Sequence, residues 1–168
     1  PAHDTDPFVA LAHEAHIPLR TVAVDGNVRA NTTITDATGV TTKLNEQGAR
    51  LTPDTIAALE DAVATSAAMS DVVVLAGSLP PGAPYDWYST LVAVVRQANS
   101  DALIAVDTSD EPLIALSEGM DQGTPDIIKP NGYELGQLAG IDGHTLEDAA
   151  SNGDLCYVVE VARSVVCR

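Results

Sequence analysis

The stretch PDIIKPNGYEL, residues 125–135, holds three side chains whose types and spacing could do chemistry together. Lys129 is one of two lysines in the chain. It ends an apolar run, where a lysine either snorkels to water or acts as a point charge for a phosphate. Asn131 and Glu134 stand three residues apart. That spacing suits a helix N-cap followed by an acid in the first turn. It equally suits a pair that orients a hydrated magnesium ion and its phosphates, since magnesium keeps several waters and takes few carboxylates. Asn131 and Glu134 therefore have a structural and a metal-binding reading, and both stay open on pattern alone.

Two other places carry comparable groups. Arg29, in GNVRAN, has the planar fork that suits bidentate recognition of phosphate. Asn31 follows two residues later, on the same face if the segment is a strand, and could bind a hydroxyl. Lys43 and Arg50 are weaker phosphate candidates. Gly77 and Ser78 open the turn GSLPPG, whose glycines and prolines either let backbone N–H groups face an anion or simply join a strand to a helix. Asp107, in VDTSDE, either orients a sugar hydroxyl or tunes a metal, or simply caps the next helix. His3, His13, His16 and His144 make no metal spacing, and no GxxxxGK[ST], GxGxxG or GxSxG motif occurs.

The elements that must position these groups alternate. DVVVLAG, ALIAVD and DIIK are continuous apolar runs, the pattern of parallel strands buried on both faces. They end at Gly77, Asp107 and Lys129, and ligands of open α/β sheets bind beyond such strand ends. Helices are expected at residues 8–15, after Thr52 with Pro53 at the first position, over 86–99, over 112–117 and over 133–139 with Gly140 as the stop. Thr145 with Asp148 reads as a weak capping box opening another helix. Leu155, Val158, Val159, Ala162 and Val165 recur at helical spacing. Tyr85, Trp87 and Tyr88 either wall a pocket or pack a helix. Residues 20–24, 30–35 and 41–45 alternate like half-buried strands joined by the turns VDGN and DATG, a small antiparallel sheet beside a larger α/β layer.

Composition excludes whole classes of partner. The chain has 168 residues with 24 acidic and 8 basic side chains, a net charge of -16. No nucleic-acid surface is expected, because phosphate contacts need clustered Lys and Arg. No acidic membrane surface is expected either, and no apolar run reaches the roughly 18 residues of a spanning helix. With no leader pattern at its start, a cytoplasmic protein is the expectation. Cys156 and Cys167 read as a buried filler and an end residue rather than a disulfide framework. The first helix lacks a preceding strand and the last lacks a following one, so the chain reads as the middle of a domain.

In this order and at these separations, VDGNVRANTTITDATGVTTKLNEQG, VVVLAGSLPPG, VDTSDEPL and DIIKPNGYELGQLAG resemble the ribokinase-like, PfkB-type sugar kinases. The resemblance is nearest to the branch acting on fructose 1-phosphate and its tagatose-6-phosphate relatives. It covers nearly all of the chain and the central part of such an enzyme. It implies an α/β fold: a ribokinase-like three-layer Rossmann-type sandwich with a small β-sheet lid, incomplete at both ends. Residues 1–168 would be the central part of the kinase domain, with 21–48 contributing to the lid.

What the resemblance implies for function is specific. Magnesium-ATP would phosphorylate fructose 1-phosphate to fructose 1,6-bisphosphate. Arg29 would grip the existing phosphate, with Asn31, Gly77 and Ser78 at the sugar. Lys129, Asn131 and Glu134 would face ATP and Mg2+, the last two holding the metal partly through water. The lid would close over the sugar and pair with a second subunit's lid, giving a homodimer. The catalytic base would be the Asp of a C-terminal GxGD motif, which these residues lack; Asp154, in NGDL, reads as a helix-start residue instead. The segment alone is therefore expected to be inactive. Tagatose 6-phosphate or another sugar as substrate, and a non-catalytic binding or structural remnant, are the alternatives. Val28 stands where the family usually has Thr, Thr32 and Thr33 where Val and Lys are common, and Asp110 where Gly is frequent.

Overall fold

The computed structural model describes residues 6–119 and 123–166. They form two compact units, one of residues 6–62 and 80–83 and the other of residues 63–79, 84–119 and 123–166.

In the first unit, helix α1 (Pro7–Glu14) is capped by Asp6 and carries Pro at its first turn. Strands β1 (Asn31–Thr35) and β2 (Thr41–Asn45) pair antiparallel, Asn31 opposite Asn45 and Thr35 opposite Thr41. The turn between them is built by one side chain. Asp36 Oδ1 accepts from Thr38 N, Thr38 Oγ1 and Val40 N at 2.8, 2.7 and 3.0 Å. Gly39 supplies the left-handed residue at φ 91°. Residues 20–24, expected as a strand, lie outside any ladder. Their apolar alternation survives as alternating exposure, but no described strand offers them a rung. Helix α2 (Pro53–Ala67) starts as its sequence predicts, with Thr52 Oγ1 accepting from Thr55 N at 3.2 Å.

The second unit is built on a parallel sheet in the order β3 (Val72–Ala76), β4 (Leu103–Asp107), β5 (Ile127–Ile128). Helix α3 (Trp87–Ala98) packs against β3 and β4, and α4 (Asp110–Glu118) leads on toward β5. Leu75, Ile104 and Val106 are buried. The opposite face corrects the expectation of strands buried on both sides: Val72 is 56% exposed, Val74 64% and Ile127 47%. A strand's side chains alternate between faces, so one face lies in the core and the other is apolar and open. Arg96 ties the layer together, donating to Ala102 O and Asp126 Oδ2, both at 2.7 Å.

Helices α5 (Gly132–Ala139), α6 (Gly143–Ser151) and α7 (Leu155–Val166) enclose a second core of Leu135, Leu146 and Val161. The α6 cap is Asp142, not Thr145; its Oδ2 accepts from Thr145 N and Oγ1 at 3.2 and 2.8 Å. The buried face of α7 also differs from its expected stripe. Val161 is buried while Leu155 and Val159 are exposed, because α5 and α6 meet the side bearing Val158, Val161 and Val165. Cys156 is exposed, not a filler, while Cys167 lies outside the described residues. Among the described residues, no helix is long and apolar enough to cross a membrane.

Candidate functional site

The three strand ends stand side by side in the second unit. Gly77, just past β3, donates its N–H to Asp107 O at the end of β4 at 2.9 Å. Asp107 Oδ1 in turn pairs with Lys129 Nζ, just past β5, at 3.2 Å. Parallel register therefore places Gly77, Asp107 and Lys129 in one row at the carboxyl edge of the sheet. Asp107 is neither a helix cap nor free; Ser109 is the N-cap of α4, without a side-chain cap bond. The Lys129–Asp107 pair is exposed, and such pairs contribute about 0–1 kcal/mol. Lys129 can exchange Asp107 for another anion at little cost.

Gly77 is fixed from both sides. Its φ of 111° is a backbone conformation that favours glycine. Its carbonyl accepts from Tyr88 Oη at 2.6 Å and from the buried Thr108 Oγ1 at 3.3 Å. Sequence reasoning did not single out Tyr88 and Thr108 as anchors of this turn; a Tyr in the first turn of the next helix was the available cue. Ser78, beside Gly77, is exposed. Trp87 and Tyr88 are buried in helix packing, whereas Tyr85 is 64% exposed and lines a cleft of about 410 Å³ with Asp110, Ile114 and Gln137.

Asn131 and Glu134 form a complete capping box at the start of α5. Asn131 Oδ1 accepts from Glu134 N and Glu134 Oε2 accepts from Asn131 N, both at 2.8 Å. The structural reading of this pair is thus correct, and it does not exclude the other. Among the described residues, Glu134 Oε1 and Asn131 Nδ2 carry no hydrogen bond. The box sets a carboxylate at the positive end of the helix, where a bare phosphate would otherwise sit well. A phosphate approaching this end meets Glu134 first, so a bridging cation suits the position better than an anion alone. Gly136 sets the position of α5: a Cβ there would lie 2.5 Å from Gly143 Cα on α6.

Arg29 and Asn31 belong to the first unit. Asn31 opens β1 and is exposed. Arg29 precedes the strand, half-buried, and lines a cleft of about 540 Å³ with Asp6, Phe8, Asn27 and Glu46. Among the described residues, its guanidinium has no carboxylate within ion-pair distance. Lys43 and Arg50 are exposed. Asp154 Oδ1 accepts from Tyr157 N at 3.2 Å, the helix-start role expected of it. Among the described residues, no three His, Cys, Asp or Glu side chains group to hold a metal.

The model of the pfkB family carbohydrate kinases matches residues 4–154. The chain belongs to this family. As a pfkB-family member it is 32% identical to a 1-phosphofructokinase of Bacillus subtilis, over 77% of this chain and 40% of that one. It is 33% identical to a 1-phosphofructokinase of Xanthomonas campestris, over 86% of this chain and 44% of that one. The crystal structure of Escherichia coli phosphofructokinase-2 in complex with fructose-6-phosphate superimposes with a TM-score of 0.67. It is 27% identical and covers 80% of this chain and 43% of that one. Ribokinase from Giardia lamblia shares the fold at a TM-score of 0.54 and 20% identity. The ribokinase-like α/β fold follows from these likenesses. The chain spans about two fifths of the length of the curated relatives it matches.

Proposed function

We propose that this chain carries substrate- and nucleotide-binding parts of an ATP-dependent kinase that converts fructose 1-phosphate to fructose 1,6-bisphosphate. One observation carries the reading: Arg29 lines a cleft with its guanidinium unclaimed by any carboxylate of the described residues. In a chain of net charge -16, an arginine kept from the abundant acids is suited to an incoming anion. The names of the curated relatives support the same substrate.

Each residue has a role that its surroundings favour. Arg29 binds the phosphate already on the sugar, and Asn31 a sugar hydroxyl. Gly77 and Ser78 have the sugar-binding role that the family resemblance implies for them. Lys129 leaves Asp107 for a nucleotide phosphate. Asn131 and Glu134 fit a magnesium ion held through water, because the box leaves Oε1 without a hydrogen bond among the described residues and one carboxylate suffices for a hydrated ion. When bound, magnesium neutralises charge on the nucleotide phosphates. The hairpin β1–β2, with Ile34 and Leu44 exposed on one face, acts as the lid and as the contact with a second copy. Residues 21–48 make up this lid region of a larger kinase domain in a cytoplasmic enzyme. A second reading is a different phosphorylated hexose such as tagatose 6-phosphate, since Thr32 and Thr33 in β1 stand where the family commonly has Val and Lys and leave the sugar beside the phosphate unspecified.

The test is selective loss of affinity. Charge-assisted hydrogen bonds contribute about 1.5–3 kcal/mol, so Arg29→Ala should weaken fructose 1-phosphate binding about 10- to 100-fold. Binding of unphosphorylated fructose should stay within about twofold. Equal effects on both sugars, measured by isothermal titration, would remove Arg29 from phosphate recognition.

A further inference from the structure

Arg29 is held by its neighbours in the chain. The N–H of Val28 donates to Asp6 Oδ2 at 3.2 Å. The N–H of Ala30 donates to Glu46 Oε2 at 2.9 Å. The two carboxylates come from different elements. Asp6 is the buried N-cap of α1, and its Oδ1 is already taken by Phe8 N at 2.9 Å. Glu46 follows β2, and its own N–H donates to Ala30 O at 3.2 Å.

This last pair is where the β1–β2 ladder changes character. Below it, Asn31 and Asn45 pair as ordinary strand residues. At the next rung, Ala30 accepts from the Glu46 backbone but donates to the Glu46 side chain. A carboxylate takes the place of a main-chain carbonyl. Beyond it the two segments stay close: a Cβ on Gly48 would lie 3.5 Å from Arg29 Cβ, and one on Gly26 2.9 Å from Ala49 Cβ. The stem of Arg29 therefore lies against a position with no side chain, with its backbone tied on both sides.

Two acids stand beside an arginine, and neither pairs with it; both are spent on backbone amides. We infer that Asp6 and Glu46 are positioning residues, a carboxylate clamp that fixes the backbone on either side of Arg29 and so presents its guanidinium to an anion in the cleft. This rests on the phosphate-binding reading of Arg29 and goes beyond it. Fixing the backbone before binding removes part of the ordering cost that each binding event would otherwise meet. The Asp6 carboxyl is held below the usual carboxylate range, first by the Phe8 N–H and then by the Val28 N–H, so it stays the acceptor the clamp needs.

The clamp predicts the opposite sign from simple electrostatics. An acid acting only as a nearby negative charge would, on removal, tighten anion binding. A clamp, on removal, loosens it. Asp6→Asn keeps a good N-cap oxygen for Phe8 and turns an amide donor toward Val28 N. Glu46→Gln keeps an acceptor for Ala30 N; Glu46→Ala removes it. With fructose 1-phosphate and inorganic phosphate as probes, Asp6→Asn and Glu46→Ala should each bind about five- to tenfold more weakly, the worth of one typical hydrogen bond. Glu46→Gln should stay within about twofold of the parent, and binding of neutral fructose should be unchanged in all three. Amide hydrogen exchange reads the clamp without any ligand: Val28 should lose protection in Asp6→Asn while Phe8 keeps it, and Ala30 should lose it in Glu46→Ala but not in Glu46→Gln. If Asp6→Asn fails to fold, the Glu46 pair decides alone. Tighter or unchanged phosphate binding in Glu46→Ala, with Arg29→Ala still weakened, would overturn the clamp and leave the role of Arg29 standing. No effect of Arg29→Ala would instead overturn the phosphate reading.

Discussion

Asp110 sits at φ 55°, a left-handed conformation, at the start of α4. Glycine is frequent at this place in the family that the sequence resembles, and the backbone supplies the reason. A side chain in that region costs roughly 1–2 kcal/mol, and Asp is among the few that tolerate it because its short polar group bonds locally. Here Asp110 Oδ2 accepts from Ser109 Oγ at 3.1 Å. Asp110→Gly should therefore be neutral to about 1 kcal/mol more stable, and Asp110→Ala about 1 kcal/mol less stable, in urea unfolding. An alanine variant as stable as the glycine variant would mean that the left-handed conformation is not what the position demands. At the same scale, the capping box of Asn131 and Glu134 shows why a residue pattern alone left two readings open. One atom of each side chain closes the helix end, and another atom of each has no hydrogen bond among the described residues. A motif of this kind serves both purposes, so finding the structural one says nothing against the chemical one.

The elements show where sequence periodicity stops being informative. The hairpin, the caps of α2 and α5 and the parallel strands β3, β4 and β5 were legible, because each is written in local chemistry: Asp36 and Gly39 in a turn, Thr52 before Pro53, apolar runs between helices. Residues 20–24 alternate as a strand does, yet a ladder needs a partner, and alternation cannot say whether one is present. The same limit misassigned Leu155 and Val159, since α7 has apolar residues on more than one side and only packing chooses among them. It also hid the open face of the sheet. That face makes a direct prediction. Val74 is 64% exposed while Ile104, on the neighbouring strand, is fully buried. Val74→Ser should change stability by no more than about 0.5 kcal/mol, and Ile104→Ala should cost about 2–5 kcal/mol. Comparable losses in the two, measured by denaturant unfolding, would contradict a sheet buried on one side. The clamp of Asp6 and Glu46 was not legible for a related reason: each acid looks ordinary in sequence, and only the fold brings it to an amide beside Arg29.

At the scale of the whole molecule, charge and family narrow the function in different ways. The net charge of -16 disfavours anionic partners in general, so any anion that binds must be met by a cation placed for it. The family supplies the reaction class, and the chain spans about two fifths of the length of its curated relatives. The proposed roles of Arg29, Asn31, Gly77 and Ser78 are in binding the sugar, so binding is the property that tests them. The most direct test is isothermal titration of the 168-residue protein with fructose 1-phosphate and, separately, with fructose. Saturable binding of the phosphorylated sugar, at least about tenfold tighter than the neutral one, is the predicted result. Equal affinity for the two, or binding of fructose alone, would contradict a site built to recognise a sugar by its phosphate.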